Sequence, residues 1–376
     1  MDRTKAILKN ILAILFGLVL ALMALEMLLR VFQPVEYRVR GNRIILPRNK
    51  HYIFTTDKTN IFDRVIYFSK NPLGFRGDLP PRNFAQTLTI ITVGGSTTEC
   101  MNITDGKTWS DLLANRLKRE FKPFWLNNAG LTGNSTFGHL VLMEDYLIPL
   151  KPKVLVFLIG ANDQYLLDYC EWDKKTLRKP WVNLHSAIID PLAHYSEVAH
   201  YIINFGRYFK AKHMGLTHGN VDFAALKTRD IPDEQLQAIL ARNRANYLEP
   251  YARRIQKLID LCSQHGMEPV FVTQPLIYGD GIDPVSGADL ARVAVGDING
   301  KTSWEILELY NQVLRQVAAK NKVLLIDLAG KMPKSSRYFY DHMHFSNTGC
   351  EFAAETIHEQ LAPFLSQKFP EYVNKD

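Results

Sequence analysis

Apolar positions along this chain fall into three patterns, each predicting a different kind of element. The first is a run that is apolar on every face. After MDRTKAILKN, residues Ile11 to Leu25 carry no charge, and past Glu26 the apolar character continues to Leu29. A helix of that kind sits in a core or in a bilayer rather than on a surface. The uncharged part falls short of the roughly 20 residues that span a membrane, but the stretch to Leu29 approaches that length with Glu26 at the interface. A basic start and an apolar core also suit a signal peptide, yet no A-x-A cleavage site closes the run. Residues 1–32 are therefore read as a membrane anchor or uncleaved signal. Arg3, Lys5 and Lys9 precede the run, and Arg30, Arg38, Arg40, Arg43 and Arg48 follow it. That count opposes translocation, but large domains cross against it. The expectation is a single-pass chain whose main domain lies outside the cytoplasm.

The second pattern is short apolar runs bounded by turn residues, which predict strands at Leu88 to Val93, Phe124 to Leu126, Val154 to Ile159, Val270 to Thr273 and Val323 to Leu328. The third is helical periodicity, over Thr108 to Phe121, Phe137 to Leu147, Leu236 to His265, Trp304 to Ala319 and Asn347 to about Leu365. Strands alternating with helices imply a parallel sheet covered on both faces, an α/β fold whose ligand site lies beyond the carboxyl ends of the strands. The loops leaving those ends are GGSTTE, NNAGLTGNST, GANDQ, QPLIYGDGIDPVSGAD and YFYDHMHFSNTG. Turn chemistry accounts for their glycines and asparagines, but not for an aspartate and a histidine three apart at the same edge.

Composition narrows the picture. The chain has 376 residues, 47% hydrophobic and 22% charged, with neither a repeat nor a low-complexity tract, which fits one large domain with insertions. The net charge of +7 suits an anionic surface or an acidic polymer. Its basic residues are dispersed and accompany no nucleic-acid-binding motif, so nucleic acid is not an expected partner. Cys100, Cys170, Cys262 and Cys350 show no metal or redox spacing; two disulfides are possible, and free buried thiols are favoured. DGKT at 105–108 and NGKT at 299–302 lack the first glycine of a phosphate loop, and neither G-x-S-x-G nor H-E-x-x-H occurs. No cofactor and no metal are expected.

Ser96 closes the first strand and opens a helix, where its hydroxyl could simply cap free N–H groups. Acyl transfer would need more: a base, an acid to orient it, and donors for the oxyanion. His344 is a candidate base and Asp341 its orienting acid. The backbone N–H of Ser96, the N–H of Gly133 and the amide of Asn162 could hold the oxyanion, with Gly133 required because a Cβ would obstruct the approach of substrate. Gly130 rivals Gly133, His342 is a decoy between Asp341 and His344, and Asp163 is read as a loop brace.

These residues carry a resemblance. Ser96 in GGSTTE, Gly133 in NAGLTGNS, Asn162 in GAND, and Asp341 with His344 in DHMHFSNTG follow the four blocks of the SGNH hydrolases, also called the GDSL esterase and lipase family. The likeness spans roughly residues 85 to 365. It departs in the first block, where Gly95 stands for the usual aspartate and Thr97 for the usual leucine, so lipase specificity does not carry over. The resemblance implies a flavodoxin-like three-layer α/β/α sandwich with a five-stranded, mostly parallel sheet. It further implies a serine esterase acting on O-acyl groups, often acetyl on carbohydrate, through an acyl-serine. The expected substrate is an acylated small molecule or polysaccharide, such as a glycan or envelope component. The alternatives are an O-acyltransferase using the same triad and a non-catalytic glycan-binding or assembly protein.

The domain reading is an anchor over 1–32, an extended juxtamembrane segment over 33–85, and the hydrolase-like domain over 86–366. An aromatic-rich insertion at about 165–235 and the Gly-rich run from Tyr278 to Gly300 are candidate lids or sugar-stacking surfaces.

Overall fold

The computed structural model describes residues 2–33, 35, 37, 39–40, 43–58, 61–166, 191–213 and 221–375. Residues 167–190 and 214–220 of the aromatic-rich insertion, including CEWDKKTLRKPWVNLH and with it Cys170, lie outside the described residues. The chain divides into two compact units, Met1–Pro47 with Glu171–Thr217, and Arg48–Cys170 with His218–Asp376.

In the first unit the N-terminal run forms one helix, Asp2–Phe32. Within it Lys5–Phe32 is long and apolar enough to cross a membrane, with mean hydropathy 2.7 over its most apolar window. A two-residue hairpin, Val39–Arg40 against Arg43–Ile44, follows. A second long helix runs over Glu197–His213. Glu26 is committed to that second helix: its carboxylate accepts from Ser196 Oγ at 2.9 Å, Glu197 N at 2.9 Å and Val198 N at 3.0 Å. These are free donors of a helix start, so the one acid in the apolar run caps a helix.

The second unit begins with an antiparallel hairpin, β1 (Lys50–Thr55) and β2 (Val65–Lys70). The α/β body follows as β3 (Leu88–Gly94), α1 (Ser96–Glu99), α2 (Trp109–Glu120), β4 (Phe124–Asn128), α3 (Thr136–Leu142) and β5 (Val154–Ile159). It continues with α4 (Asp233–Asn246), α5 (Leu248–Gln264), β6 (Glu268–Thr273), α6 (Gly300–Asn321), β7 (Leu324–Ile326), α7 (Leu328–Lys331) and α8 (Asn347–Lys368). The sheet is five-stranded and wholly parallel, in the order β7-β6-β5-β3-β4. Numbered along the chain, that is the flavodoxin-like order, with its topological switch between β3 and β5. Helices cover both faces, which is why every residue of β3 and β5 is buried; β5 reads as an unbroken apolar run and β3 as one interrupted by Thr89 and Thr92.

Two sequence expectations need correction. The periodic stretch from Leu236 to His265 is two helices, because Pro250 has no N–H to return to Asn246 and the chain breaks at Tyr247. The last strand ends at Ile326 rather than Leu328, since Asp327 leaves the sheet to cap α7 through Gly330 N. The segment expected to be an extended spacer contributes β1 and β2 to the second unit from Arg48 onward. Cys100, Cys262 and Cys350 are buried free thiols.

Candidate active site

The switch point brings the predicted residues together. Ser96 is the first residue of α1, just beyond the carboxyl end of β3. Its hydroxyl is not spent on capping: the cap position is Gly95, and Ser96 Oγ lies 2.7 Å from His344 Nε2. On the other side of the ring, His344 Nδ1 lies 2.7 Å from Asp341 Oδ2. Asp341 Oδ1 accepts from the backbone N–H groups of Met343 at 3.0 Å and His344 at 2.8 Å. All three side chains are buried, Ser96 the most accessible at 8%. Burial works against ionisation of Asp341. The bond from the His344 ring, together with the charges of His344 and His342, outweighs it and holds the carboxyl below its ordinary value. The Tyr340 ring stacks on His344 with centroids 5.5 Å apart. Tyr340 O–H accepts from Asn102 at 3.2 Å, and Phe62 packs edge-on against the same ring. His344 is thus held in plane from one face and in rotation by Asp341. His342, the decoy, has a 42% exposed side chain; its Nδ1 lies 3.9 Å from Asp341 Oδ1, and its ring stands edge-on to His344 with centroids 6.0 Å apart.

The predicted oxyanion donors cluster on the neighbouring loops. Asn162 follows β5, and one of its amide hydrogens is donated to Asn134 O at 3.0 Å, leaving the second free to point elsewhere. The same amide bears on Gly95: a Cβ there would stand 2.4 Å from Asn162 Nδ2, so a side chain at this position would have to displace the Asn162 amide. Asn134 is braced in turn by His139, whose Nδ1 lies 3.1 Å from Asn134 Nδ2. Burial pushes His139 down to about 3, so its ring is neutral and Nδ1 can accept.

Gly133 has a backbone reason to be glycine: its φ of +77° lies in the left-handed region, while a Cβ on it would meet no protein atom within 4 Å, so the space beside it is open. The crowded glycine is its rival. A Cβ on Gly130 would stand 2.3 Å from Glu99 N, and Gly130 N already donates to Asn128 Oδ1 at 2.8 Å. Gly130 therefore seats the loop against α1. Asp163 is a brace, as expected: it accepts from Thr136 N and Oγ1 at the start of α3 and lies 3.5 Å from Arg254, while burial pushes its carboxyl up. The Gly-rich run from Tyr278 is tied down by buried Asp283, which accepts from Ser286 and Ser336 through N–H and hydroxyl alike.

A recess of about 10 Å³, room for about one water, adjoins Ser96. Gly95, Asn134, Leu158, Asn162, Gln274 and Met343 are among the residues that line it.

Sequence reasoning missed the underside of α1. Lys70 Nζ and Glu99 Oε1 form an ion pair at 3.0 Å with both side chains fully buried. Glu99 Oε2 accepts from Thr132 N at 2.7 Å and Thr132 Oγ1 at 2.6 Å, one residue before Gly133. Arg76, also buried, donates to Glu99 O at 2.8 Å and Cys100 O at 2.7 Å and pairs with Asp105 at 2.7 Å. The available signal was Glu99 itself, an acid inside a buried block that demands a cation. Nothing in the sequence says that the cation lies 29 residues upstream.

An imidazole bonded to a hydroxyl on one side and a carboxylate on the other can draw a proton from the hydroxyl while the carboxylate steadies the resulting charge. The α/β/α body with this arrangement at its switch point is of the class of serine hydrolases that act on esters. The GDSL-like lipase/acylhydrolase family matches residues 92–352, and the chain belongs to it. Among solved structures, the chain is similar to an acetyl xylan esterase, AlAXEase, at 18% identity, with 72% of this chain and 98% of that one covered and a TM-score of 0.40. It is similar to the acetylxylan esterase Axe2 from Geobacillus stearothermophilus at 14% identity, 77% and 97% coverage and a TM-score of 0.40. It is also similar to a lipase/acylhydrolase from Enterococcus faecalis at 14%, 73% and 96%, and 0.40. A search of curated protein sequences returns no significant match.

Proposed function

We propose that the protein is a membrane-anchored esterase that hydrolyses short O-acyl groups, acetyl above all, on a glycan or another envelope component. The observation that carries the reading is the unbroken chain Ser96, His344 and Asp341, with 2.7 Å at each side-chain step. Ser96 Oγ attacks the ester carbonyl carbon as His344 Nε2 takes its proton, and Asp341 holds Nδ1–H against the forming imidazolium. The oxyanion of the tetrahedral intermediate is met by the N–H groups of Ser96 and Gly133 and the free amide hydrogen of Asn162. Collapse expels the alcohol, which leaves with the proton from His344. Water then enters, gives a proton to His344 and cleaves the acyl-serine, releasing the acid and restoring the hydroxyl. The small recess beside Ser96 supports a short acyl group. The apolar helix at Lys5–Phe32 supports the anchor; on this reading the catalytic unit lies outside the cytoplasm, where it would meet an envelope substrate.

The test is turnover by the full chain of aryl esters of increasing acyl length and of acetylated oligosaccharides, alongside Ser96→Ala and His344→Ala. Acetyl esters should be cleaved fastest, and each variant should lose at least ~10³-fold with unfolding midpoints unchanged. Delivery of the acyl group to a sugar hydroxyl in preference to water would make the enzyme a transferase. Glycan binding with no turnover of any ester would remove the catalytic reading altogether.

A further inference from the structure

The Glu197–His213 helix is built inside out. Among its described side chains the buried ones are polar: Glu197, His200 and Asn204 are each exposed by no more than 6%, and they recur at helical spacing on one face. Glu197 pairs with Arg40 at 2.6 Å, His200 Nδ1 lies 3.1 Å from Asn204 Nδ2, and Tyr37 packs edge-on against His200 and Tyr201. The opposite face is apolar and open. Ile202, Phe205 and Phe209, at i, i+3 and i+7, are exposed by 68%, 56% and 52%, with the two phenylalanine rings in contact at 4.7 Å. A helix facing water shows the reverse arrangement. The outer face of this one is matched to an apolar medium.

Its attachment says which medium. The helix is capped by Glu26 of the apolar N-terminal helix, Arg30 of that helix donates to Tyr195 O at 2.6 Å, and Tyr201 O–H donates to Val35 O at 2.7 Å. From Lys9 to Arg30 the N-terminal helix rises about 31 Å, close to the thickness of a bilayer's hydrocarbon core. Glu26 then lies about 6 Å inside the boundary marked by Arg30. Helices lying in the membrane interface bury their apolar face by about 5–10 Å.

We infer that Glu197–His213 is a second membrane contact, an interfacial helix whose Ile202, Phe205 and Phe209 face lies among lipid acyl chains, docked to the spanning helix through Glu26. The inference rests on the anchor reading proposed above. It differs from that reading in requiring lipid contact some 170 residues after the anchor.

The experiment is acyl-chain photolabelling. The full chain is reconstituted in phosphatidylcholine vesicles doped with a phosphatidylcholine carrying a diazirine in its acyl chain, irradiated, digested and mapped by mass spectrometry. Adducts are expected both in residues 2–32 and in the peptide containing Ile202 to Phe209. The triple variant Ile202→Ser, Phe205→Ser, Phe209→Ser should lose the second set and keep the first. All three positions are exposed, so its unfolding midpoint should match the wild type. Adducts in 2–32 with none in the second peptide would overturn the inference and leave the anchor standing. Adducts in neither would overturn the anchor and the inference with it.

Discussion

Ser96 and Glu99 sit three residues apart on one short helix, and the charged groups they meet are arranged for opposite purposes. Above, Ser96 is the accessible end of a line in which its hydroxyl meets the His344 ring and Asp341 holds the far side of that ring. Below, the Glu99 carboxylate is closed off by Lys70 on one oxygen and by both donors of Thr132 on the other, with nothing left to exchange. The contrast teaches that reactivity here is confined to one side of a turn whose other side is locked. The lock also holds Thr132, so it fixes the loop that presents Gly133 as well as the helix that presents Ser96. Reacting groups keep their geometry when the residues packed behind them have no freedom to move.

The comparison can be broken most forcefully from below. Lys70→Met strands a buried carboxylate and should cost about 3–5 kcal/mol, while the double variant Lys70→Met, Glu99→Gln should regain much of it. Denaturant unfolding at constant pH measures both. Equal stability of the single variant and the wild type would mean that the underside is not a lock. A smaller effect is expected from above. Asn162→Ala should lower kcat by roughly 10²–10³ with little change in KM and none in the unfolding midpoint, the behaviour of a donor used only in the transition state. A fall in stability instead would assign Asn162 to bracing through its bond to Asn134.

The smallest effect concerns pH. The carboxyl of Asp341 is held below its ordinary 3.8, so the stability that it contributes is complete above that value and is lost as pH falls through the lower folded-state value. Asp341→Asn should remove that dependence. Wild type and variant should therefore converge in stability as pH drops below about 3.8, and parallel curves would exclude the shift.

Most of the body was legible because parallel strands buried on both faces leave continuous apolar runs. Val154 to Ile159 was bounded correctly from its flanking turns alone. The site was legible because its residues lie in loops that all leave one edge of the sheet, where residue type and order carry the chemistry. What stayed hidden was pairing and direction. Lys70 and Arg76 stand in a stretch of prolines, glycines and basic residues that reads as a spacer, and burial is a property of what packs on them. The segment of the Glu197–His213 helix read as part of an aromatic-rich insertion, and richness in aromatics does not say which face they form or what it meets. Gly130 and Gly133 look alike in NAGLTGNS; only backbone angles separate the one that is crowded from the one that is twisted.

Glu26 also sets an order of events in time. It leaves the ribosome about 170 residues before the Ser196, Glu197 and Val198 groups that satisfy it. At the usual pace of about 5–20 residues per second, the acid, paired meanwhile with Arg30 one turn on, waits about 10–30 s for those donors. The first helix made is thus among the last to be completed, and its final seating belongs to the biogenesis of a segment encoded halfway along the message.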